Sequence, residues 1–183
     1  MSTLTYGPRP PLPAWSLLAV GVLVSGGLGG ALWVAEHLHP DETLCEIALF
    51  GHLASLVVGF GAVLSIDWVG LQWVVGRRTI VDVVATAGHV QTPIWVGLAG
   101  LTVSGMLLEP DVTRQLTQIK LGLVLLVTWN GLVATLLHRR LSAGALHAGG
   151  RSPGRLLLTA ALLSAGVSQA GWWGAMVIGF VNH

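Results

Sequence analysis

The stretch GHLASLVVGFGAVLSIDWVGLQWVVGRR, residues 51–78, decides the fold class of this chain. It is long enough to cross a membrane as a helix, because about 20 apolar residues span the hydrocarbon core of a bilayer. It nevertheless contains His52 and Asp67, and it ends in Arg77 and Arg78. Ionisable side chains are costly inside a bilayer and therefore mark candidate functional sites. The stretch predicts both a transmembrane helix and a polar site within it.

The whole chain has the composition of a membrane protein. Of its 183 residues, 53% are hydrophobic and 9% are charged, and the mean hydropathy is +0.75. A soluble domain is about 25% charged, so we expect lipid to be the main solvent and the bilayer to be the principal partner. The net charge of +1 argues against a nucleic-acid partner. The single cysteine, Cys45, excludes an intramolecular disulfide.

Five apolar stretches separated by polar turns predict five transmembrane helices. They cover residues 14–35, 44–76, 79–108, 117–137 and 156–181. The first stretch is longer than the core of a signal peptide, which has about 7–15 residues, so we expect it to be retained. Residues 1–13 are Pro-rich and predict an irregular cytoplasmic tail, and residues 14–183 predict a single membrane domain.

The charged residues predict how this bundle is oriented. In a five-helix arrangement all arginines except Arg114 fall on one side and most of the acids fall on the other. The arginines on the first side are Arg9, Arg77, Arg78, Arg139, Arg140, Arg151 and Arg155, and the acids on the other are Glu36, Asp41, Glu42, Glu109 and Asp111. Basic residues concentrate in cytoplasmic loops. We therefore predict an all-α integral membrane bundle of five transmembrane helices, N-in/C-out, in the cell (inner or plasma) membrane.

Four ionisable side chains within the predicted spans are candidate site residues. His52 and Lys120 lie one to two turns from the outer ends of helices two and four, so they are expected at a similar depth. Asp67 and His89 lie in the inner half of helices two and three, where they would pair and could form a proton relay. Structural alternatives remain open, because a histidine can simply link two helices and a lysine can extend to the interface.

The polar turn after the first helix offers a second candidate site. His37, His39, Asp41 and Glu42 stand close together in the sequence. A His-x-His pattern with nearby carboxylates can bind Cu(II), Zn or Ni. Polar turns also contain such residues without any metal, so both interpretations stay open.

Small residues predict close packing on helix five. The stripe is formed by Ser164, Ser168, Gly171, Ala175 and Gly179. Small residues at helical spacing let another helix approach closely in a membrane. The stripe is therefore a candidate interface with a partner membrane subunit or with a second copy of the chain.

Helices two to four resemble a known superfamily. The resemblance rests on His52, on Gly59-Phe60-Gly61-Ala62, on Pro93, Gly97 and Gly105, and on Ile119-Lys120-Leu121 before Asn130. It is to the small membrane proteins that include HemJ-type protoporphyrinogen oxidases and copper-resistance CopD proteins. The HemJ-like resemblance implies His52 as a haem ligand and Lys120 as a second essential group. The CopD-like resemblance implies copper handling by polar groups that face outward.

Two classes of function follow from these patterns. The first is a membrane protein that binds haem b or copper, with a redox or metal-handling role. His52 and Lys120 would be its main cofactor-binding residues, and His89 and Asp67 are further candidates that could form a proton relay in the inner half. The second is a cofactor-free structural or assembly subunit of a larger membrane complex. A proton-coupled transporter is a third hypothesis, although the chain shows no inverted repeat.

Overall fold

The chain folds as a bundle of helices. The computed structural model describes residues 14–147 and 154–182, and this part of the chain contains five α-helices and no strand. They are α1 (Ala14–His37), α2 (Glu42–Val74), α3 (Ile80–Met106), α4 (Gln115–His147) and α5 (Arg155–Val181). The predicted all-α class is confirmed. The predicted tail at residues 1–13 lies outside the described residues.

Four of the helices contain a segment that is long and apolar enough to cross a membrane. These segments are Leu18–His37, Glu42–Val74, Gln115–Ala143 and Arg155–Val181. The remaining helix, α3, carries Asp82, His89, Gln91 and Pro93 among its apolar residues. The composition of the bundle is thus that of a membrane protein.

The helix ends differ most from prediction in α4. This helix continues through Arg139 and Arg140 to His147 instead of ending at residue 137. Arginine, leucine and alanine are good helix formers, and they continue the helix past the basic pair. By contrast, α2 ends close to its predicted boundary, where Gly76 adopts a φ of 75° that favours glycine.

The helices α2 and α3 form a tightly packed antiparallel hairpin. Gly59 and Gly97 face each other so closely that a β-carbon on Gly97 would clash with the Gly59 backbone. A β-carbon on Gly100 would similarly clash with the side chain of Ser55. Small residues of this kind allow two helix backbones to approach in a membrane. Ser55 and Gly59 also belong to the face of helix two that carries His52.

The helices α4 and α5 form a second antiparallel hairpin. The Asn130 amide donates to the Ser164 carbonyl at 2.8 Å, and the Ser164 hydroxyl donates back to the Asn130 side-chain oxygen at 2.9 Å. Gly171 packs against Val127 of α4. Two residues of the small-residue stripe of helix five, Ser164 and Gly171, therefore pack inside this chain.

The two hairpins meet in one hydrophobic layer near the middle of the bundle. It consists of Phe60, Val63, Leu98, Val127 and Trp172. The rings of Phe60 and Trp172 stack with their centroids 5.8 Å apart. α1 packs against this body through α4, where the Trp129 indole donates to the Ser25 hydroxyl at 3.1 Å.

The layer divides the bundle into two ends. The acidic end contains the turns at residues 38–41 and 107–114, and the basic end contains the turn at residues 75–79 with Arg139 and Arg140 of α4. A cavity lies between the hairpins on each side of the layer.

Candidate functional site: two cavities between the helices

The cavity toward the acidic end, hereafter the His52 cavity, has a volume of about 440 Å³. All five helices contribute to its wall, which is mostly apolar. His52 from α2 and Lys120 from α4 both line it, so the structure brings these two predicted site residues together. The His52 cavity therefore combines an apolar interior with two basic side chains.

Hydrogen bonding fixes the orientation of the His52 ring. The Ser104 hydroxyl donates its only proton to the Gly100 carbonyl at 2.6 Å. Its oxygen is then an acceptor for Nδ1 of His52, 3.0 Å away. Nδ1 of a neutral His52 consequently carries the hydrogen, and Nε2 keeps its lone pair. An imidazole that donates through one nitrogen in this way is suited to ligate a metal through the other.

Three further side chains that line the His52 cavity have groups that can interact with a ligand. Lys120 is half-buried and lines the same cavity as His52. Met106 from α3 and Met176 from α5 line the same wall. Their distance in the chain gave no indication of this, and only the packing of the two hairpins places both thioethers in the cavity that contains His52.

The cavity toward the basic end, hereafter the Asp67 cavity, has a volume of about 460 Å³ and is lined by α2, α3, α4 and α5. Among the described residues that line it, Asp67 is the only acid and there is no lysine or arginine. Polar pairs cross its wall between helices, as where Gln91 donates to the Thr135 hydroxyl at 2.5 Å. Trp73, Trp95 and Trp172 supply its aromatic surface.

Asp67 and His89 are not paired, contrary to prediction. Asp67 accepts a hydrogen bond from the Gln169 amide of α5, and the Trp173 indole donates to the other end of that amide at 2.9 Å. His89 is exposed, and its Nδ1 donates to the Ala85 carbonyl of its own helix at 2.7 Å. The proton relay expected between the two residues therefore has no basis in their contacts.

His138 is a residue of the Asp67 cavity, although it lies just beyond the predicted end of helix four at residue 137. Its ring packs against Gly88 of α3, with a β-carbon at Gly88 coming 3.4 Å from Nε2. Its Nδ1 is buried without a hydrogen-bond partner among the described residues. The helical spacing of Lys120, Gly131 and His138 on one face of α4 was the available signal, and the neighbouring arginines masked it.

The predicted metal site in the turn after α1 is not assembled. Nδ1 of His37 donates to the Trp33 carbonyl at 2.8 Å, and His39 lies 3.7 Å from Glu109. The Asp41 carboxylate instead caps α2 by accepting from the Leu44 backbone N–H at 2.8 Å. Residues 14–147 and 154–182 contain no group of three or more His, Cys, Asp or Glu side chains that could hold a metal ion, so Glu42 also lacks such neighbours.

Comparisons with known proteins do not assign a function to this chain, so a functional assignment rests on the side chains described above. No protein-family model, no curated protein and no solved structure matches the chain.

Proposed function

We propose that this protein is a multi-pass protein of the cell membrane in which all five helices cross the bilayer. Four helices have the required length and composition, and α3 packs along α2 from the Gly59–Gly97 contact to the His52–Ser104 contact. A helix held in this way lies at the same depth as its partner. The basic end would face the cytoplasm because basic residues concentrate there, which gives the N-in/C-out orientation.

Within this bundle the His52 cavity is proposed to bind haem b for a redox role. The observation that carries the proposal is the orientation of His52 by Ser104, which leaves Nε2 as a ligand on the wall of an apolar cavity. A single histidine is sufficient to hold haem iron on one side. The cavity volume also lies within the range of about 300–1,000 Å³ that ligand pockets occupy.

The other groups of the cavity fit the same ligand. The Lys120 ammonium would pair with a propionate carboxylate, because a half-buried cation gains most from an opposite charge nearby. Met106 and Met176 offer thioethers, which serve as haem ligands in some electron-transfer proteins. Bound haem would supply one-electron chemistry, while His52 would hold it and the apolar helices would exclude water.

Copper is the second candidate for this cavity. Thioether and imidazole ligands suit Cu(I), and His52 shares its cavity with Met106 and Met176. The charge of Lys120 would repel a copper ion, whereas it would attract an anionic propionate. Lys120 therefore favours haem, and the copper proposal predicts that Lys120→Gln strengthens metal binding.

A cofactor-free subunit of a membrane complex is the alternative from another class. Its support lies on α1, where Gly26 and Gly30 have no described neighbour within 4 Å of a β-carbon position. Their spacing is that of a small-xxx-small motif, which can dock another transmembrane helix. The proposed partner surface thus moves from helix five to α1.

Absorption spectra of the detergent-purified protein, oxidised and then reduced with dithionite, test the haem proposal. We expect a Soret band with sharpened bands after reduction, and loss of this signal in His52→Ala. Ser104→Ala should weaken haem binding and alter the spectrum, because the His52 ring loses the acceptor at Nδ1 that orients it. His89→Ala is the matched control, since His89 is exposed outside both cavities.

Two results would contradict the haem proposal. One is a preparation that stays colourless after reconstitution with haemin. The other is an unchanged haem content in His52→Ala. Metal analysis of the same samples separates the copper proposal from the cofactor-free alternative. Bound copper that depends on His52, Met106 and Met176 supports the copper proposal. A metal-free protein that co-purifies with other subunits supports the cofactor-free alternative.

A further inference from the structure

The Asp67 cavity contains a carboxylate without a cationic partner. Asp67 is half-buried, and its hydrogen bond comes from the neutral amide of Gln169. Among the described residues, Asp67 makes no ion pair and no lysine or arginine lines the cavity, where His138 is the one other ionisable side chain. We propose that the Asp67 cavity binds a lipophilic organic cation, such as an ammonium or phosphonium ion with aromatic or branched apolar substituents.

The charge of Asp67 sets the sign of the ligand. Acids within membrane helices usually pair with a cation or face a water-filled space, since an isolated charge in apolar surroundings is costly. The amide of Gln169 is held by Trp173 and positions the carboxylate without neutralising it. A bound cation would supply the positive charge that Asp67 does not receive from Gln169.

The walls of the cavity favour an organic ion over a metal ion. Mg²⁺ and Ca²⁺ require about six or more oxygen ligands, and the described residues provide only one carboxylate here. The wall is instead mostly apolar, with Trp73, Trp95 and Trp172 among its residues. Tryptophan is the aromatic side chain that attracts cations most strongly, with a greater effect where water is excluded.

The volume and position of the cavity suit a ligand that partitions into membranes. At about 460 Å³, it lies within the size range of small-molecule pockets. It lies between the two hairpins, and its wall reaches from Trp172 in the central layer to Ile80 at the basic end. A ligand with a positive centre near Asp67 and apolar groups against the helices would satisfy both features.

Binding of two matched probes tests this proposal. Tetraphenylphosphonium and tetraphenylborate have nearly the same size and shape but opposite charge. Equilibrium dialysis of the full-length protein in detergent, against empty micelles, would measure both. We expect the phosphonium to bind wild type, and its affinity to fall at least about tenfold in Asp67→Asn, which corresponds to about 1.4 kcal/mol. The borate should show no such loss.

Two further variants keep the test decisive. Glu46→Gln removes one negative charge from an exposed position of the same helix, outside both cavities, and should leave phosphonium binding unchanged. Gly70→Leu adds a side chain on the cavity wall, one turn from Asp67, at a position where a β-carbon meets no described atom within 4 Å, and should block binding. If Asp67→Asn does not fold, Gly70→Leu still reports on the cavity.

Three results would overturn the proposal. Equal binding of the two probes to wild type would show that charge does not select the ligand. Phosphonium binding that survives in both Asp67→Asn and Gly70→Leu would place the bound probe elsewhere. A wild-type protein that binds neither probe would show that the cavity does not accept a ligand of this class. None of these results bears on haem at His52, because the proposed ligand groups belong to the other cavity.

Discussion

The two cavities of this bundle have nearly equal volumes but opposite electrostatic character. The His52 cavity has a histidine, a lysine and, among its described residues, no acid, whereas the described residues of the Asp67 cavity include one acid, one histidine (His138) and no lysine or arginine. Val127 and Trp172 contribute to both walls. One layer of apolar side chains is therefore enough to give a small bundle two environments. The comparison indicates that ligand charge, rather than ligand size, would decide which cavity is occupied.

Trp172 belongs to the layer that separates the two cavities, and its loss should have the largest effect on the unfolding free energy. Its side chain is 4% exposed, and it packs on Phe60 at the boundary of both cavities. Truncation of a buried tryptophan costs about 3–5 kcal/mol, so Trp172→Ala should lower the unfolding free energy by that order. Denaturant unfolding in detergent, followed by circular dichroism, measures this change.

Trp173→Ala is the matched control for that substitution. Trp173 is the next residue, but 49% of it is exposed. Its loss removes an edge contact with Phe60 and the hydrogen bond to Gln169, and we expect a smaller destabilisation. Equal losses of stability in the two variants would mean that Trp172 is not part of a central core layer.

A substitution at Gly97 tests the close packing of α2 and α3. Helix α2 contributes His52 to one cavity and Asp67 to the other. A β-carbon at Gly97 would lie too close to the Gly59 backbone and 2.8 Å from the Ser55 carbonyl oxygen. Overpacking of this kind costs about 1–3 kcal/mol, so Gly97→Ala should reduce stability and weaken ligand binding in both cavities. A thermal unfolding midpoint in detergent, with haem and phosphonium binding on the same samples, measures the effect.

Gly61→Ala is the control for helix composition in this hairpin. No described atom lies within 4 Å of a β-carbon at Gly61, and alanine favours a helix over glycine by about 1 kcal/mol. The variant should be unchanged or slightly more stable. If Gly97→Ala behaved in the same way, the close approach of α2 and α3 would be wrong.

Asp111 tests the turn at the acidic end, where we expect the smallest effect. The Thr113 hydroxyl donates to the carboxylate at 2.6 Å and the Thr113 N–H donates at 3.0 Å, and these bonds lower the pKa of Asp111 below its usual value, with a further contribution from Arg114. A lowered pKa stabilises the fold above the unfolded-state pKa of about 3.9. This stabilisation is lost as the pH falls through the lower, folded-state pKa.

A comparison with Asp111→Asn across pH measures that contribution. At pH about 7 the variant should unfold at a slightly lower temperature than wild type, because its neutral amide is a weaker acceptor. The difference should shrink as the pH drops below about 4, where the wild-type carboxyl becomes protonated. A difference that stays constant over this range would mean that the charge of Asp111 has no role in the turn.

The sequence predicted those parts of the structure that depend on one helix at a time. Hydropathy located the five helices, and helical spacing placed His52, Ser55 and Gly59 on one face, where they meet Ser104, Gly100 and Gly97. Depth along straight helices also put His52 and Lys120 near each other. These features follow from the rise and period of an α-helix, which the sequence alone supplies.

Partners on distant helices were the part that sequence reasoning could not predict. Asp67 has Gln169 rather than His89 as its partner because the rotation of α5 against α2 decides which side chain arrives there. The same rotation brings Met176 of α5 into the His52 cavity, which Met106 of α3 also lines. Helical period orders residues around one axis, but it does not set the angle between two hairpins.

Simultaneous binding is the most direct test of the claim that the two cavities are separate sites selected by charge. The measurement is the affinity of wild type for tetraphenylphosphonium, first without haemin and then at a saturating haemin concentration. Distant, independent sites couple by only about 0.3–0.5 kcal/mol, so the account predicts that haemin changes this affinity by about twofold at most. Displacement of the phosphonium by haemin would contradict it, because both ligands would then occupy one site.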